Sequence, residues 1–387
     1  MVGIRQLDRL GHEVHVFSFI SPWQTPALEQ EAATYLGRPV ECVDYRALRM
    51  NSLRAVWRRL ASAGRRPALL DGAALPYASR TVVAAFEAAL SRWPPDVVWF
   101  DYTNMWPLLE RAKVRGIATV MRSLNYEPRH NLDERGRSLA NGLRYLGKYL
   151  SERSSIQQAS AFAAITPADR YQYLKLGRSD CAMLPLRSLP ELLQPPRRHR
   201  SRQCLEVFFF GSNYSVSHNR AALGFILNEI VPKIRRAAPG EFRFNLLGAK
   251  VPPDVVGHEA KDVRIHGFIS DLDSFLEDMD IALIPSLHGG GMQQKLFEPL
   301  CRAFPLVGSP RGLAGFPLRD GVHALLASTS TEFVTALLRL RDPVLRTTLS
   351  ENASHFSEEQ FNAADIDSTV EGLLARAMSG KAEGERA

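Results

Sequence analysis

The feature that most constrains the fold of this chain is the alternation, along its whole length, of short apolar runs with longer segments of helical periodicity. Several runs, such as 207–210, are apolar at every position, and strands of that kind are covered on both faces. This alternation is typical of an α/β protein with parallel sheets. Strands are predicted at 14–19, 96–100, 117–122, 161–166, 205–211, 242–248, 263–268, 281–286 and 304–309. Helices are predicted at 76–92, 136–159, 217–237, 271–279, 293–302 and 332–350.

The chain has 387 residues, which predicts two domains. A segment rich in Pro and Arg at 186–203 lacks periodicity and precedes the strand at Leu205, so it is the expected boundary. We expect a first domain, a linker, a second domain, and a final segment whose helix, around 355–378, crosses back onto the first domain. The expected ranges are 1–190, 191–203, 204–354 and 355–387.

Charge divides near the same boundary. Residues 1–190 carry 26 basic and 17 acidic side chains, a net charge of +9, whereas residues 191–387 carry 22 and 24, a net charge of −2. A basic half can meet anionic lipid head groups or phosphorylated substrates, although solvated helix faces in an Arg-rich chain explain it equally well. Nucleic acid is not an expected partner, because basic and aromatic residues are not interleaved as in RNA-binding motifs.

The four cysteines are far apart in sequence, which excludes a disulfide scaffold or a zinc ribbon and fits a reducing compartment. The sequence has no run of 18 apolar residues, the length that a membrane span requires. We therefore expect a cytoplasmic location.

The start of the chain is unusual for an α/β protein. Apolar residues from Val2 to Leu10 recur at roughly helical spacing, and Gly11 stands where a glycine commonly ends a helix. A strand-like segment follows at 13–19. Either a short helix opens the fold, or a strand and a loop that belong before this helix are missing.

The segment 280–316 has the strongest chemical pattern. A predicted strand ends near Pro285, and a run of three glycines then opens a helix predicted from about Met292 to Arg302. Such a junction offers unpaired backbone N–H groups at the positive end of a helix dipole, a site suited to phosphate. Lys295 and Glu298 lie three residues apart on one helical face. The first can contact a phosphate oxygen and the second can accept hydrogen bonds from sugar hydroxyls.

Four motifs occur in order over the second half: FFFGSNYSVSHNRAALGFI (208–226), FRFNLLGAK (242–250), VRIHGFISDLDSFLEDMDIALIPS (263–286) and GGGMQQKLFEPLCRAFPLVGSPRGLAGF (289–316). Together they resemble the donor-binding domain of retaining glycosyltransferases of the GT-B fold, family 4 (group 1), over about residues 205–355. The resemblance implies two Rossmann-like domains that face each other across a cleft.

The resemblance implies roles in the donor domain. Glu298 matches the glutamate that binds the ribose hydroxyls, and Lys295 belongs to the same K-x-x-E signature on the phosphate side. Backbone amides expected to receive the diphosphate belong to Gly289, Gly290, Gly291 and Met292. Gly267 and Phe268 match the place where the base is read, and Gly211 and Asn219 match the first turn of the domain. Many relatives have an acidic residue where this chain has Gly290, so the donor sugar stays open.

Each of these residues also has a structural interpretation. Lys295 is equally suited to an exposed helix face, and Phe268 to a core. Glu298 could also lie on an exposed helix face, although the glycine run before it favours a functional role. Asn219 is also a plausible residue for the start of a helix.

In the first half, the resemblance extends to Arg122, Asn125 and Glu127, which match an "R-x-H-N-x-E" segment in which Leu124 replaces the histidine. With Asp101, which directly follows a predicted strand, they are expected on the acceptor or sugar side. Thr166 and Asp169 match an "A-x-x-x-S-x-x-D" element. The predicted catalytic residues of both halves are Glu298, Lys295, Asn125, Arg122 and Asp101.

The implied activity is transfer of a sugar, with retention of configuration, from a nucleotide-diphosphate donor to a glycan or lipid-linked acceptor in cell-surface polysaccharide synthesis. The donor is a co-substrate, and neither a metal nor another cofactor is expected. An anionic membrane surface on the inner face of the cell membrane is a further expected partner. Two alternatives stay open: a non-catalytic relative that binds a nucleotide sugar or a partner, and a nucleotide-sugar epimerase of the same fold. An NAD-dependent Rossmann enzyme would need a glycine fingerprint that is missing.

The resemblance also bears on the start of the chain. Gly11-His12-Glu13-Val14 matches the end of a helix that, in the family, follows a first strand and a Gly-rich loop. We therefore expect that about 20 residues of the fold precede this sequence, counting a strand, a loop and the missing helical turns.

Overall fold

The computed structural model describes residues 2–20, 27–44, 64, 66–288 and 294–384. The chain forms two compact units, unit 1 (Met1–Ser188 with Ala363–Ala387) and unit 2 (Leu189–Asn362). Within the described residues, every pairing between strands is parallel. The α/β class with parallel sheets is therefore confirmed. None of the helices in this part of the chain is long and apolar enough to cross a membrane.

Unit 1 contains two parallel sheets, one of two strands and one of four. The strands are β1 (Val16–Ile20), β2 (Val40–Asp44), β3 (Val97–Asp101), β4 (Ala118–Ser123), β5 (Ala161–Ala164) and β6 (Ala182–Met183). Strand β1 pairs with β2, and the larger sheet has the order β3-β4-β5-β6. The first helices are α1 (Val2–Arg9), α2 (Ala27–Leu36), α3 (Arg80–Arg92), α4 (Trp106–Val114), α5 (Glu127–Arg135), α6 (Leu139–Gln158) and α7 (Pro167–Lys175).

Unit 2 is built on one six-stranded parallel sheet. Its strands are β7 (Leu205–Asn213), β8 (Phe242–Ala249), β9 (Val263–His266), β10 (Ile281–Ile284), β11 (Leu306–Gly308) and β12 (Leu325–Leu326), in the order β12-β11-β10-β7-β8-β9. Its helices are α8 (Ser217–Phe225), α9 (Val231–Ala237), α10 (Pro253–Val256), α11 (Leu272–Glu277), α12 (Phe297–Cys301), α13 (Ser330–Arg339) and α14 (Pro343–Phe361). Phenylalanines on β7 and β8, such as Phe209 and Phe244, lie in its main core.

The last helix, α15 (Ala363–Gly384), belongs to unit 1. Its Val370 and Leu373 pack with Val120 of β4 on one face of the four-stranded sheet. The next strand residue, Met121, lies in the core on the opposite face, because side chains alternate along a strand. Both faces of β4 are therefore buried, and the burial includes its polar residues Thr119, Arg122 and Ser123.

All nine predicted strands are present, with ends that differ by at most two residues. The prediction of a single helix over 332–350 was wrong, because two helices lie there. Helix α13 ends at Arg339, and Asp342 caps the start of α14 by accepting a hydrogen bond from the Val344 amide at 2.9 Å. Pro343 occupies the first position of α14, where a missing N–H costs nothing.

Two further helix predictions need correction. The segment predicted at 217–237 contains a π-helical turn (Ile226–Ile230) between α8 and α9. The helix predicted around 355–378 is interrupted at Asn362, whose extended ψ of 131° separates α14 from α15. Periodicity alone does not reveal either interruption, since apolar residues recur on both sides.

Several elements were not predicted. Strands β6 and β12 have two residues each, too few for a pattern. Strand β2 carries Glu41 and Asp44 among its apolar residues, and α5 has a single aliphatic side chain, Leu132, so it lacks an apolar stripe. Tertiary packing, rather than local pattern, decides the formation of such segments.

The prediction that Gly11 ends the first helix is confirmed. Its φ is +88°, a conformation that glycine adopts without steric cost. The Gly11 amide donates to the Asp8 carbonyl, and the His12 amide donates to the Leu7 carbonyl, both at 3.0 Å. This pair of bonds is the Schellman arrangement of a helix end.

Candidate functional site

The carboxyl end of the six-stranded sheet in unit 2 gathers several of the predicted donor-side residues. Gly211, near the end of β7, lies beneath the ring of Tyr214, and a Cβ on it would come within 2.2 Å of that ring. Gly248 of β8 also lies against this ring, and a Cβ on it would come within 2.5 Å of the Tyr214 side chain. Tyr214 donates a hydrogen bond to the Leu247 carbonyl at 2.8 Å. Gly211 therefore admits a tyrosine that closes the turn after β7, a structural role.

Asn219 and Lys295, 76 residues apart in sequence, are in direct contact. The Asn219 side-chain amide donates to the Asn213 carbonyl at 2.9 Å, and its oxygen accepts a hydrogen bond from Lys295 Nζ. Asn219 is 4% exposed and is the third residue of α8, so it does not cap that helix. It links the end of β7 to the segment that follows β10.

The ammonium group of Lys295 is partly desolvated. Besides Asn219, it lies 5.4 Å from the centre of the Phe209 ring. Burial lowers the pKa of Lys295 to about 8, because a low-dielectric environment disfavours the charged form. No carboxylate among the described residues forms an ion pair with it. A bound anion would supply the missing counter-charge and raise this pKa.

Glu298 lies in the first turn of α12 and has a different set of contacts. Its Oε1 accepts a hydrogen bond from Arg302 Nε at 2.6 Å, and Arg302 also reaches Asp273 Oδ1 at 2.6 Å. Arg302 is largely buried, so the two carboxylates compensate its charge. The ion pair fixes the Glu298 side chain along the helix rather than leaving it as a solvated surface group.

The glycine run (Gly289, Gly290 and Gly291) and Met292 were predicted to contact the diphosphate. All four lie outside the described residues. The predicted helix after the glycine run is confirmed from Gln294 onward: a 3₁₀ turn, Gln294–Leu296, leads directly into α12.

Gly267 and Phe268 follow β9 at the same end of the sheet. The Gly267 carbonyl accepts a hydrogen bond from the Gly248 amide at 3.3 Å, which joins this loop to β8. Phe268 is 85% exposed. The interpretation of Phe268 as a core residue was therefore wrong, and its ring is available to stack on a planar group.

In unit 1, Asp101 and Arg122 end neighbouring strands and are paired in register. Arg122 binds the Asp101 carboxylate through two hydrogen bonds, of 2.9 and 3.0 Å. Trp99 Nε1 donates to the same carboxylate at 2.9 Å. A second arginine, Arg187, lies 4.0 Å away, and its own burial, followed by the charge of Arg122, lowers its pKa to about 10. This bidentate pair is a fixed element of the strand ends.

Beside this pair the chain has an unusual backbone. Tyr102, directly after Asp101, has a φ of +140°, where a non-glycine residue is strained. Its amide donates to the Arg122 carbonyl at 3.1 Å. Its side chain is 46% exposed at the carboxyl end of the sheet. Strained backbone of this kind occurs preferentially at functional sites.

The segment of Asn125 and Glu127 rests on a buried hydrogen-bond network. The Glu127 carboxylate accepts from Lys148 at 2.8 Å, and its amide donates to Glu152 at 3.3 Å. The Asn125 carbonyl accepts from Ser123 Oγ at 2.8 Å. The structure therefore holds both predicted residues next to the end of β4.

Glu152 is the central residue of this network, and the sequence did not indicate it. Thr103 donates to its Oε1 at 2.9 Å and Tyr173 to its Oε2 at 3.0 Å. Burial, followed by the nearby Glu127 carboxylate, raises the pKa of Glu152 to about 8. A mid-helix glutamate is normally solvated, and the one weak signal was its place between Ser151 and Ser155, small residues on a buried face.

Thr166 and Asp169 also serve this segment. Thr166 Oγ1 accepts from the Asp169 amide at 3.0 Å and caps α7. Asp169 accepts from the Tyr126 amide at 3.0 Å, and burial raises its pKa. The pair therefore orients the backbone between Asn125 and Glu127.

The described residues hold no group of three or more His, Cys, Asp or Glu side chains placed to bind one metal ion.

Comparison with known proteins agrees with the pattern of motifs. Residues 205–342 match the sequence family described as "Glycosyl transferases group 1". No curated protein matches the chain in sequence.

Among solved structures, the chain resembles three proteins at low sequence identity. Anabaena HepE, solved in complex with UDP, is 13% identical with a TM-score of 0.62, over 93% of this chain and 99% of HepE. TarM, which occurs in S. aureus, is 14% identical with a TM-score of 0.60, over 76% of this chain but only 59% of TarM. Sucrose-phosphate synthase from Thermosynechococcus elongatus is 15% identical with a TM-score of 0.55, over 77% and 78%.

These neighbours share the GT-B fold, which confirms the predicted fold class of two Rossmann-like units. The predicted resemblance to the group 1 enzymes is confirmed as well. Over residues 205–342, 138 of its 387 residues, the chain is therefore similar in sequence to the group 1 glycosyl transferases.

Proposed function

We propose that this protein is a glycosyltransferase that moves a sugar from a nucleoside-diphosphate donor to a glycan or lipid-linked acceptor, with retention of configuration and without a metal ion. The observation that carries the proposal is the partly desolvated Lys295, which Asn219 holds at the end of β7 without a carboxylate partner among the described residues. The family match over the same region supports it.

The chemistry follows from the leaving group. When the bond between the sugar and the diphosphate breaks, negative charge develops on a phosphate oxygen. A cation held in place before the reaction stabilises that charge without having to reorganise. Lys295 is the candidate for this role, because its position is set by Asn219 and its charge is not already neutralised.

The remaining donor contacts are assigned by resemblance and by exposure. Glu298 binds the ribose hydroxyls through the carboxylate that Arg302 orients. The exposed ring of Phe268 stacks on the base. HepE has been solved with UDP-glucose, so uridine donors are the first to test.

Unit 1 supplies the acceptor side in this proposal. Asp101 and Arg122 hold the strand ends, and Asn125 and Glu127 lie on the segment that Glu152 and Asp169 support. TarM has been solved with glycan ligands and UDP. We propose a comparable acceptor class here, in cell-surface polysaccharide synthesis, with the basic first half at an anionic membrane surface.

The test is a mass-spectrometric screen of nucleotide sugars with oligosaccharide and lipid-linked acceptors. We expect release of nucleoside diphosphate and a glycosylated product, unchanged by EDTA, and NMR of the product should show the donor's anomeric configuration. Loss of turnover in EDTA would contradict metal independence, and an inverted product would contradict retention.

The same screen separates the alternatives. Nucleotide binding without turnover would identify a non-catalytic binder. Isomerisation of the donor without an acceptor would identify an epimerase. Either outcome would overturn the proposed transfer.

A further inference from the structure

Helix α6 in unit 1 presents an exposed row of leucines. Leu139, Leu143 and Leu146 are 94%, 72% and 46% exposed. Residues spaced by four and three positions lie on one face of a helix, so the three side chains form a continuous apolar ridge, called here the leucine ridge. Single exposed leucines are ordinary, but a contiguous exposed patch marks an interaction surface.

The leucine ridge stands on a firmly held element. Ser138 caps α6 by accepting a hydrogen bond from the Asn141 amide at 3.2 Å. The buried Asn141 side chain donates to the carbonyls of Arg135 and Gly136, each at 2.9 Å. One turn later, Gly147 packs so closely that a Cβ would lie 2.9 Å from the Leu70 backbone. One face of α6 is therefore fixed against the unit while the leucines face outward.

Three exposed arginines lie close to the leucine ridge in sequence. Arg135 and Arg137 precede the helix, and Arg144 lies within it; all three are exposed. Within the described residues none of them forms an ion pair with a carboxylate, and Arg144 donates to the Asn141 side-chain oxygen at 2.8 Å. They are called here the arginine rim.

The adjoining helix α5 does not cancel this charge. Its Asp133 lies 3.9 Å from Arg129, and its Glu134 lies 3.6 Å from His130. Arg129 therefore partners Asp133 on its own helix, whereas the contact of Glu134 with His130 is an ion pair only when the imidazole is protonated. The surface keeps a positive balance, in agreement with the +9 of residues 1–190.

We propose that the leucine ridge and the arginine rim form a docking surface for an anionic lipid bilayer. Apolar side chains that enter the acyl boundary, bordered by basic side chains at head-group level, are the combination that holds a helix in a membrane interface. These arginines have no carboxylate partner in the part of the chain that the structure describes, and they favour an anionic bilayer over an apolar protein groove, because the partner must supply negative charge around an apolar centre.

A role for this surface in presenting a membrane-bound acceptor rests on the proposed function. Lys148 lies on the same helix, two residues after Leu146, and binds Glu127 at 2.8 Å. Positions two apart lie on different faces of a helix, so this contact is across α6 from the leucine ridge. A bilayer at the ridge would therefore hold the candidate acceptor-side segment one helix diameter, about 10 Å, from the membrane.

Co-sedimentation of the full chain with vesicles tests the surface. One set of vesicles is phosphatidylcholine, and the other contains about one third phosphatidylglycerol. We expect binding to the anionic set that weakens with salt. The triple variant Leu139→Ser, Leu143→Ser, Leu146→Ser should bind at least about tenfold more weakly, and so should Arg135→Gln, Arg137→Gln, Arg144→Gln.

Matched controls change exposed residues of the same unit elsewhere. Val114→Ser with Tyr171→Ser removes apolar surface, and Arg80→Gln, Lys113→Gln, Arg115→Gln removes three charges. Both should bind like the parent protein. Circular dichroism and nucleotide binding should be unchanged in every variant, since the altered side chains are exposed.

Three results would overturn the proposal: no binding of the parent protein to anionic vesicles, equal binding of the leucine variant, or a dimer that the leucine variant dissolves while vesicle binding persists. If vesicle binding depends on the leucine ridge but the protein shows no transferase turnover, the docking surface is supported and the proposed function is contradicted. If the protein turns over a soluble acceptor but does not bind vesicles, the proposed function is supported and the docking surface is contradicted.

Discussion

The two units treat their charged residues in opposite ways at the carboxyl ends of their sheets. In unit 2, Lys295 is partly desolvated and contacts a neutral amide, so its charge has no counter-ion among the described residues. In unit 1, Arg122 binds Asp101 and Lys148 binds Glu127. An uncompensated charge favours a bound anion, whereas a compensated pair favours the fold. The contrast agrees with the proposed role of Lys295 in binding a ligand anion and with a structural role for the pairs of unit 1.

The strongest way to break this contrast is Lys295→Ala. We expect nucleoside-diphosphate-sugar turnover to fall by about 100-fold or more, as when a group that stabilises transition-state charge is removed. Stability should be unchanged or higher, because the variant no longer buries a charge. Steady-state kinetics and urea unfolding measure the two effects. Lys233→Ala, which removes a lysine bonded to Ser330 in the same unit, is the control; equal loss in both would refute the role of Lys295.

In unit 1 the opposite result is expected from Asp101→Asn. This change leaves the buried Arg122 beside Arg187 without a carboxylate, so the free energy of unfolding should fall by about 2 kcal/mol. Urea denaturation followed by tryptophan fluorescence gives the value. Asp133→Asn, which lies at an exposed and looser pair, should change it by less than about 0.5 kcal/mol. A stability of Asp101→Asn equal to that of the parent would remove the scaffold role.

The pH dependence of unit 1 sharpens the comparison through Glu152. Its pKa is about 8 in the folded protein, above the ordinary carboxyl value that the unfolded chain restores. The folded state therefore holds a proton that the unfolded state has lost between about pH 4.5 and 8. In that window stability falls as pH rises, by about 1.4 kcal/mol per pH unit for one proton.

The variant Glu152→Gln should lose this slope, because an amide does not titrate. Unfolding midpoints measured from pH 5 to 8 for both proteins give the comparison. Parallel curves would mean that Glu152 is already ionised in the folded protein.

The smallest expected effect concerns Phe268. Its exposed ring contributes little to stability, so Phe268→Ala should leave the unfolding midpoint unchanged while weakening donor binding by about 1 kcal/mol, roughly fivefold. Isothermal titration with the nucleotide measures this change. Val344→Ala, at another exposed apolar residue of unit 2, should have no effect on binding. An unchanged affinity for Phe268→Ala would place the base elsewhere.

Much of the fold was predictable because most of its strands are continuous apolar runs that can be identified from neighbouring residues alone. Runs such as Phe208–Phe210 need no partner to be identified, and all nine predicted strands are present. The helix break at Asp342 was less visible, since Pro343 and a cap signal compete with apolar residues that continue the helical pattern. Short pieces such as β12 depend on the neighbouring strand for their hydrogen bonds.

The candidate site was predictable in part. The motifs indicated Lys295, Asn219 and Arg122, and Asp101 was taken from its place after a predicted strand. The structure brings these four residues into two contacting pairs. The sequence could not indicate Glu152, because a glutamate in a helix has no local mark of burial. It also could not show that Phe268 is exposed, since an apolar residue that follows a strand has the same sequence pattern whether its side chain is buried or exposed.

By itself, the sequence determined the positions of nine strands, the end of the first helix at Gly11, and the order of motifs that resembles the group 1 glycosyl transferases. Each of these depends on residues close together in the chain. Only the tertiary structure decided which charges are neutralised, because the partners of Lys295 and Glu152 come from segments distant in sequence. The protonation state of a side chain depends on burial and neighbours, and both exist only after the chain has folded.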